Sequence, residues 1–176
     1  MPATPPATSV VEHEIRVAAR PETVFAFFTD PARFVQWMGA QATLDPRPGG
    51  VCRVAFQPTR ARVDSIVAAL GVPAGAAPRG QPVGVMSGQF LRVEPPRRLA
   101  FTWGWEEEPL AVPPRSTLVE VELEPEGDET VVTLTHRRLP PASVDFHRSG
   151  WEHYLDRLAH VAAGGDPGPD PWQECS

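Results

Sequence analysis

The chain has 176 residues, 41% of them hydrophobic and 22% charged, a length and balance that suit one domain with a sizeable core. A formal net charge of -6 argues against an electrostatic grip on nucleic acid or on an anionic membrane. No apolar run approaches a membrane span, and the opening "MPATPPATS" has neither the basic start nor the apolar stretch of a secretory leader, so the expected location is cytoplasmic.

Residues 1–9 are rich in Pro, Ala and Thr and are expected to be disordered. "VEHEIRV" follows, with Val11, His13, Ile15 and Val17 on one face and Glu12, Glu14 and Arg16 on the other, the pattern of a half-buried antiparallel strand. "ARPETVFAFFTDP" reads as a short helix opened by Pro21 and broken at Asp30-Pro31, and "ARFVQWMG" as a second one ending near Gly39. Short strands are expected around Gln41–Leu44 and at "VCRVAF", where Cys52, Val54 and Phe56 align. Cys52 reads as a small buried hydrophobe. Its only possible partner, Cys175, sits in a terminal tail, so no structural disulfide is expected.

Residues 57–85 are harder to place. "TRARVDSIVAALG" has a helical stripe of Val63, Ile66, Val67 and Leu70, and the Gly/Pro-rich stretch after it is loop material. Strands are expected at Ser87–Glu94 and, after Pro95-Pro96, in "RRLAFTWGW". There Leu99, Phe101, Trp103 and Trp105 share one face. "STLVEVELE" and "TVVTLTH" then read as a hairpin. The last element, about Ser143 to Ala163, is a long amphipathic helix. Its inner stripe is Val144, His147, Trp151, Tyr154, Leu155, Leu158 and Ala162, while Glu152, His153, Asp156, Arg157 and His160 form the solvated side. Residues 164–176 read as a flexible tail.

Strand, two short helices, about six strands and one long helix is an informative order. It resembles the helix-grip fold of the START-like (SRPBCC) superfamily, and the local words narrow the resemblance. "AARPETVFAFFTDPARFVQWMG", "RPGG" before a strand, "VEPPRRLAFTW" and "GWEHYLDRLA" are similar to the pattern of its AHSA-type branch, bacterial relatives of a heat-shock ATPase activator's C-terminal domain. The resemblance covers residues 10–163 and implies an α+β fold: a curved antiparallel sheet of about six to seven strands wrapped around the C-terminal helix. The 57–85 segment is longer than that family usually carries and reads as a surface decoration, a lid or a dimer contact. A homodimer is left open.

Paired first and last strands, as the resemblance implies, would bring His13 and His136 together at the sheet's edge. Such a pair suits proton transfer or a ligand's polar end, with two partly exposed imidazoles as the plainer reading. The helix histidines His147, His153 and His160 are six and seven apart, so no metal centre is expected. Ser149 lies in no nucleophile elbow, "WEEEP" reads as a solvated charge run, and no glycine-rich phosphate or dinucleotide loop is present. No cofactor is expected.

What remains is the interior. In the resembling families it often holds an apolar cavity, the default site for a small ligand. The candidate wall comprises Phe56, Gln89 and Leu91; Phe101, Trp103 and Trp105; Val121, Leu134 and His136; and His147, Trp151, Tyr154 and Leu155 from the helix. Leu99 and Phe101 are assigned to core, Trp103 and Trp105 to pocket wall. The leading expectation is a protein that binds a small apolar or aromatic molecule between sheet and helix. The alternative is a polyketide cyclase or aromatase-like enzyme using His13, His136 or Tyr154 as acid–base groups. A module that regulates a heat-shock ATPase ranks last, because the eukaryotic activators carry a further domain.

Overall fold

The computed structural model describes residues 8–71, 84–107 and 112–174. Seven strands build one antiparallel sheet: β1 (Ser9–Val17), β2 (Gln41–Leu44), β3 (Val51–Ala55), β4 (Val85–Glu94), β5 (Arg98–Trp103), β6 (Thr117–Glu126) and β7 (Glu129–Leu139). Their spatial order is β1-β7-β6-β5-β4-β3-β2, so the first and last strands are paired. Helices α1 (Pro21–Thr29) and α2 (Pro31–Phe34) lie between β1 and β2, α3 (Arg60–Ala69) follows β3, and α4 (Val144–Ala162) follows β7. This is the α+β helix-grip arrangement, a curved open sheet around a long C-terminal helix.

Local chemistry explains the first connection. Pro21 pre-sets the backbone at the start of α1, and the Asp30 carboxylate accepts from the Ala32 N–H to cap α2. The Trp37 indole donates to Phe27 O at 2.9 Å while its ring meets Phe28 and Phe34 at 5.2 and 5.1 Å. One tryptophan thereby ties both short helices to one apolar cluster.

Alternation holds along β3, β5, β6 and β7, whose buried faces include Cys52 and Val54, Leu99, Phe101 and Trp103, Val119, Val121 and Leu123, and Val132, Leu134 and His136. On the opposite face Arg137 pairs with Glu120, Arg98 with Glu122, Arg97 with Glu124 and Arg16 with Glu126. These exposed pairs contribute little each to stability, yet they keep that face wet and set which side is inside.

In β4 the alternation breaks, and two expected wall residues are corrected. Phe90 faces Phe101 while Arg92 faces Ala100, so Leu91 is an extra residue in a β-bulge. The slip reverses the phase upstream. Phe90, Gly88 and Met86 are buried, whereas Leu91 is 49% exposed and Gln89 turns outward to donate to Gly49 O at 3.0 Å.

The C-terminal segment differs more sharply from the expected free tail. Trp172 stacks on His153 at 3.7 Å, and the Asp170 carboxylate joins the His153 Nε2 at 2.9 Å and accepts from the Trp172 N–H. Burial alone would raise the Asp170 carboxyl, but these bonds and the nearby Arg157 outweigh it and hold the group below its usual value. Arg157 donates to Gly168 O. Arg62 of α3 lies 3.6 Å over the Trp172 ring, and backbone bonds run from Thr59 N to Trp172 O and from Glu174 N to Gln57 O. Of the α4 side expected to be solvated, His153 and Arg157 are therefore covered by a strap that also holds α3, whereas Glu152, Asp156 and His160 are exposed as expected. Pro and Gly punctuation signalled a break from helix but could not signal this re-docking. The apolar stripe of α3 is half-buried, with Ile66 and Leu70 against the core. The disorder expected for residues 1–7, the Gly/Pro-rich part of the insertion and Cys175 lie outside the described residues, while Ser9 already belongs to β1.

Trp172→Ala removes the stacking surface for both His153 and Arg62. It should lower stability by about 1–2 kcal/mol and expose residues 164–174 to limited proteolysis. Unchanged protection would show that the strap is held elsewhere.

Candidate functional site

Between the end of β5 and the middle of α4 lies a cavity of about 40 Å³ lined by Met38, Trp103, Trp105, Phe146, His147, Gly150, Trp151 and Tyr154. Sequence places each of these. Trp103 ends β5, and Gly104 lets the chain turn beneath residues 113–114, where a Cβ would sit 1.7 Å from Pro113 O. Trp105 then bonds back through its N–H to Val112 O at 2.7 Å and keeps its ring inside. On α4, positions 147, 151 and 154 recur at helical spacing, and 146 and 150 form the adjacent row. Phe146 and Gly150 are half-buried and form the outer rim.

Two buried imidazoles stiffen this wall. His136 is fully buried on β7, and its Nδ1 accepts from the Trp151 indole at 3.0 Å. The Thr117 hydroxyl donates to Trp103 O at 2.8 Å, so its oxygen lone pair takes the proton of His136 Nε2 across 2.7 Å. His147 has the opposite tautomer. Its Nε2 accepts from the Trp105 indole at 3.2 Å, and its Nδ1–H donates to Ser143 O at 2.7 Å. The two rings meet edge to face, 5.0 Å between centres. Burial, with a smaller push from His147, drives His136 down to about 2. Burial drives His147 down to about 4, against the opposing pull of its bond to Ser143. Both imidazoles are neutral, and neither has a free lone pair.

The Tyr154 ring lines the cavity, but its hydroxyl accepts from Gln173 Nε2 of the strap at 3.3 Å, and burial drives its pKa upward. Among the side chains that line the cavity and are described here, only the Trp103 indole N–H has no hydrogen-bond partner, although Trp103 is 3% exposed.

Of the residues expected to form a wall, Trp103, Trp105, His147, Trp151 and Tyr154 come together at this cavity. Phe56 stands just behind it, its ring 5.6 Å from Trp105 and 5.8 Å from Tyr154. Phe101, Val121, Leu134 and Leu155 are packed core, and Gln89 and Leu91 face away. The expected histidine partnership is also corrected. His13 lies opposite Leu134 and is half-buried, with its Nε2 unpartnered, while the ring neighbours of His136 are His147, Trp103 and Trp151. Nor does His136 sit at an edge, because β7 is covered by β1. Met38, Phe146 and Gly150 are lining residues the sequence reading missed. For Phe146 the helical spacing to Gly150 was a usable signal.

Cys52 is buried, and desolvation pushes its thiol up to about 12, so it is inert. The charge run is partly built in: Glu106 pairs with Arg53 at 2.9 Å, and the Glu107 carboxylate accepts from Val85 N. Among the described residues no cluster of His, Cys, Asp and Glu is arranged to hold a metal, and no helix is long and apolar enough to cross a membrane.

Residues 18–163 match the model described as Activator of Hsp90 ATPase homolog 1-like protein. The chain belongs to that family. The solution structure of an AHSA1-like protein from Rhizobium etli is 38% identical, with a TM-score of 0.64, covering 100% of this chain and 95% of its own. CalU16 from Micromonospora echinospora is 28% identical, with a TM-score of 0.61, covering 95% of this chain and 88% of its own. DynU16, described as a putative protein in the dynemicin biosynthetic locus, shares the fold at 23% identity and a TM-score of 0.68, with 93% of this chain and 51% of that one covered. A search of curated proteins finds no match.

The neutral imidazoles give this AHSA1-like domain a defined acid response. In the unfolded chain both titrate near pH 6.5, whereas in the fold they stay uncharged until about 4 and about 2. The unfolded state therefore binds more protons below pH 6.5, and stability falls as pH drops. The slope should reach about 1.4 kcal/mol per pH unit for each histidine. Denaturant titrations between pH 7.5 and 4.5 measure it, and His136→Gln should flatten the slope. A wild-type profile that is flat over this range would mean that the imidazoles are not held neutral.

Proposed function

We propose that the protein binds a small apolar or aromatic molecule in the cavity between β5 and α4. The observation that carries this reading is Gly150. It sits in the interior of a 19-residue helix, where glycine costs roughly 1 kcal/mol relative to alanine. Yet a Cβ built there meets nothing within 4 Å, so close packing does not require the glycine. It stands at the rim of the aromatic cavity, where a larger side chain would narrow the opening.

At about 40 Å³ the cavity holds a water or two in this conformation and no organic ligand. Ligand entry therefore requires the rim to move. Phe146 is half-buried, Met38 is an unbranched and adaptable neighbour, and Arg62 of α3 covers the Phe146 ring from 5.8 Å. Displacing Phe146 and α3 outward would enlarge the space without unpacking the sheet.

The cyclase-like alternative needs an imidazole or phenol free to take a proton. At the cavity both imidazole lone pairs accept indole protons and Tyr154 is turned to the strap with a raised pKa, while His13, whose Nε2 is unpartnered, does not line it. Acid–base work would first have to break one of those bonds, so binding is the better-supported reading.

Three tryptophans line the cavity, so their emission reports occupancy. Naphthalene-sized aromatics should quench emission and raise Tm in the wild type. Gly150→Ala should add about 1 kcal/mol of stability, and Gly150→Leu should fold normally but bind at least tenfold more weakly. Equal binding by wild type and Gly150→Leu, or no response to any compound of a broad aromatic set, would sink the proposal.

A further inference from the structure

We infer that the C-terminal strap, residues 166–174, is a latch on the cavity: it docks and releases together with α3, and its docked position opposes ligand entry. The inference rests on the cavity being a ligand site and adds how that site is regulated.

The strap and α3 lean on each other. No residue of α3 is buried, and none from 163 to 174 is either; Ile66, Leu70 and Trp172 are half-buried against the core. The Trp172 indole joins the two elements. His153 stacks on it at 3.7 Å and the Arg62 guanidinium lies 3.6 Å from its ring centre. Two groups so close to one ring centre must occupy opposite faces, so the indole is clamped between α4 and α3. Bonds from Thr59 N to Trp172 O, from Gln57 N to Gln173 Oε1 and from Glu174 N to Gln57 O fasten the strap to the residues just before α3. Gly164, with φ 86°, ends α4 before the strap begins, so release of the strap does not require the helix to unwind.

This unit holds the part of the cavity wall that has to move. Trp103 ends β5, the indoles of Trp105 and Trp151 and the imidazole of His147 are tied by hydrogen bonds, and Met38 is 2% exposed. Displacement therefore falls to Phe146 and Tyr154, on either side of Gly150. Those are the two lining residues that the unit touches: Arg62 lies 5.8 Å from the Phe146 ring centre, and Gln173 Nε2 donates to the Tyr154 hydroxyl at 3.3 Å. A cavity of about 40 Å³ admits no organic ligand, so the ligand-bound state is one in which these contacts are broken.

Such coupling is reciprocal, because whatever strap docking takes from ligand affinity the ligand takes from strap docking. A site that must open first binds with its affinity reduced by the fraction of molecules that are open. Weakening the latch should then tighten binding while lowering stability. A strap that merely buttressed the wall would have the opposite effect on binding.

Trp172→Ala and Trp172→Phe in the full-length chain form a matched pair. Both remove the emission of Trp172, and phenylalanine keeps a ring between His153 and Arg62. Relative to Trp172→Phe, Trp172→Ala should exchange the α3 amide hydrogens about tenfold faster, let acrylamide quench the remaining tryptophans more strongly, and bind naphthalene about five- to tenfold more tightly. Arg62→Ala cuts the same contact from the α3 side and should move exchange and affinity in the same directions, which keeps the test decisive should Trp172→Ala fold poorly. Equal α3 exchange in the matched pair, or naphthalene binding that is equal or weaker in Trp172→Ala, overturns the inference and leaves the ligand-binding reading standing. Faster exchange and stronger quenching, with naphthalene bound by no form of the protein, supports the latch and sinks the ligand-binding reading instead.

Discussion

Four aromatic rings joined by two N–H···N hydrogen bonds are the constraint on which the interior depends. Trp151 donates to His136 and Trp105 donates to His147, while Thr117 and Ser143 fix the opposite ring nitrogens. These bonds tie β5, β6 and β7 to α4 through polar contacts that leave no imidazole lone pair free. Dispersion alone would let the helix slide along an apolar sheet; directional bonds at two points set its position. The cavity is what remains where this lattice meets the helix glycine. A histidine pair in a cleft invites an acid–base interpretation, but the partners assigned to each nitrogen make these imidazoles structural.

The outer side of α4 obeys a second constraint. His153 and Arg157, whose spacing suggested a solvated face, are engaged by Asp170, Trp172 and Gly168. Through Arg62 and the bridge between Pro58 and Gln173 the same strap holds α3. The insertion and the C-terminal segment thus stabilise each other, and both reach the cavity: α3 through Arg62 over Phe146, the strap through Gln173 on Tyr154. The rim residues Phe146 and Gly150 lie on α4, outside the sheet.

How much of this was legible in the sequence depended on the range of the forces involved. The order of elements and the inward faces of β5, β6 and β7 follow from short-range periodicity, and Trp103 and Trp105 were placed on a wall for that reason. A bulge adds one residue without any composition signal, so Gln89 and Leu91 were assigned to the wrong face. The docking of Trp172 is a contact between segments distant in sequence, invisible to any periodicity. Strand order alone brings His13 and His136 together. That places them two residues apart in register but says nothing of a nearer ring arriving from α4. A single glycine within a helical pattern carries no periodicity signal, so only the open space beside Gly150 marks it.

The two faces of the sheet differ in charge, and under the ligand-binding proposal that difference bears on selectivity. The charge pairs along β6 lie on the outer face of the sheet, where water screens them. Inside, every titratable side chain at the cavity is held neutral, so no long-range field draws ligands in by charge. Selection must then come from shape and from whichever polar atom is still unpaired. A large set of free polar groups would collect water and blur the preference, and none at all would accept any hydrocarbon of the right size. A wall of tryptophan faces that presents almost no polar surface lies at the second of those limits, so under the ligand-binding proposal size and shape decide what it takes.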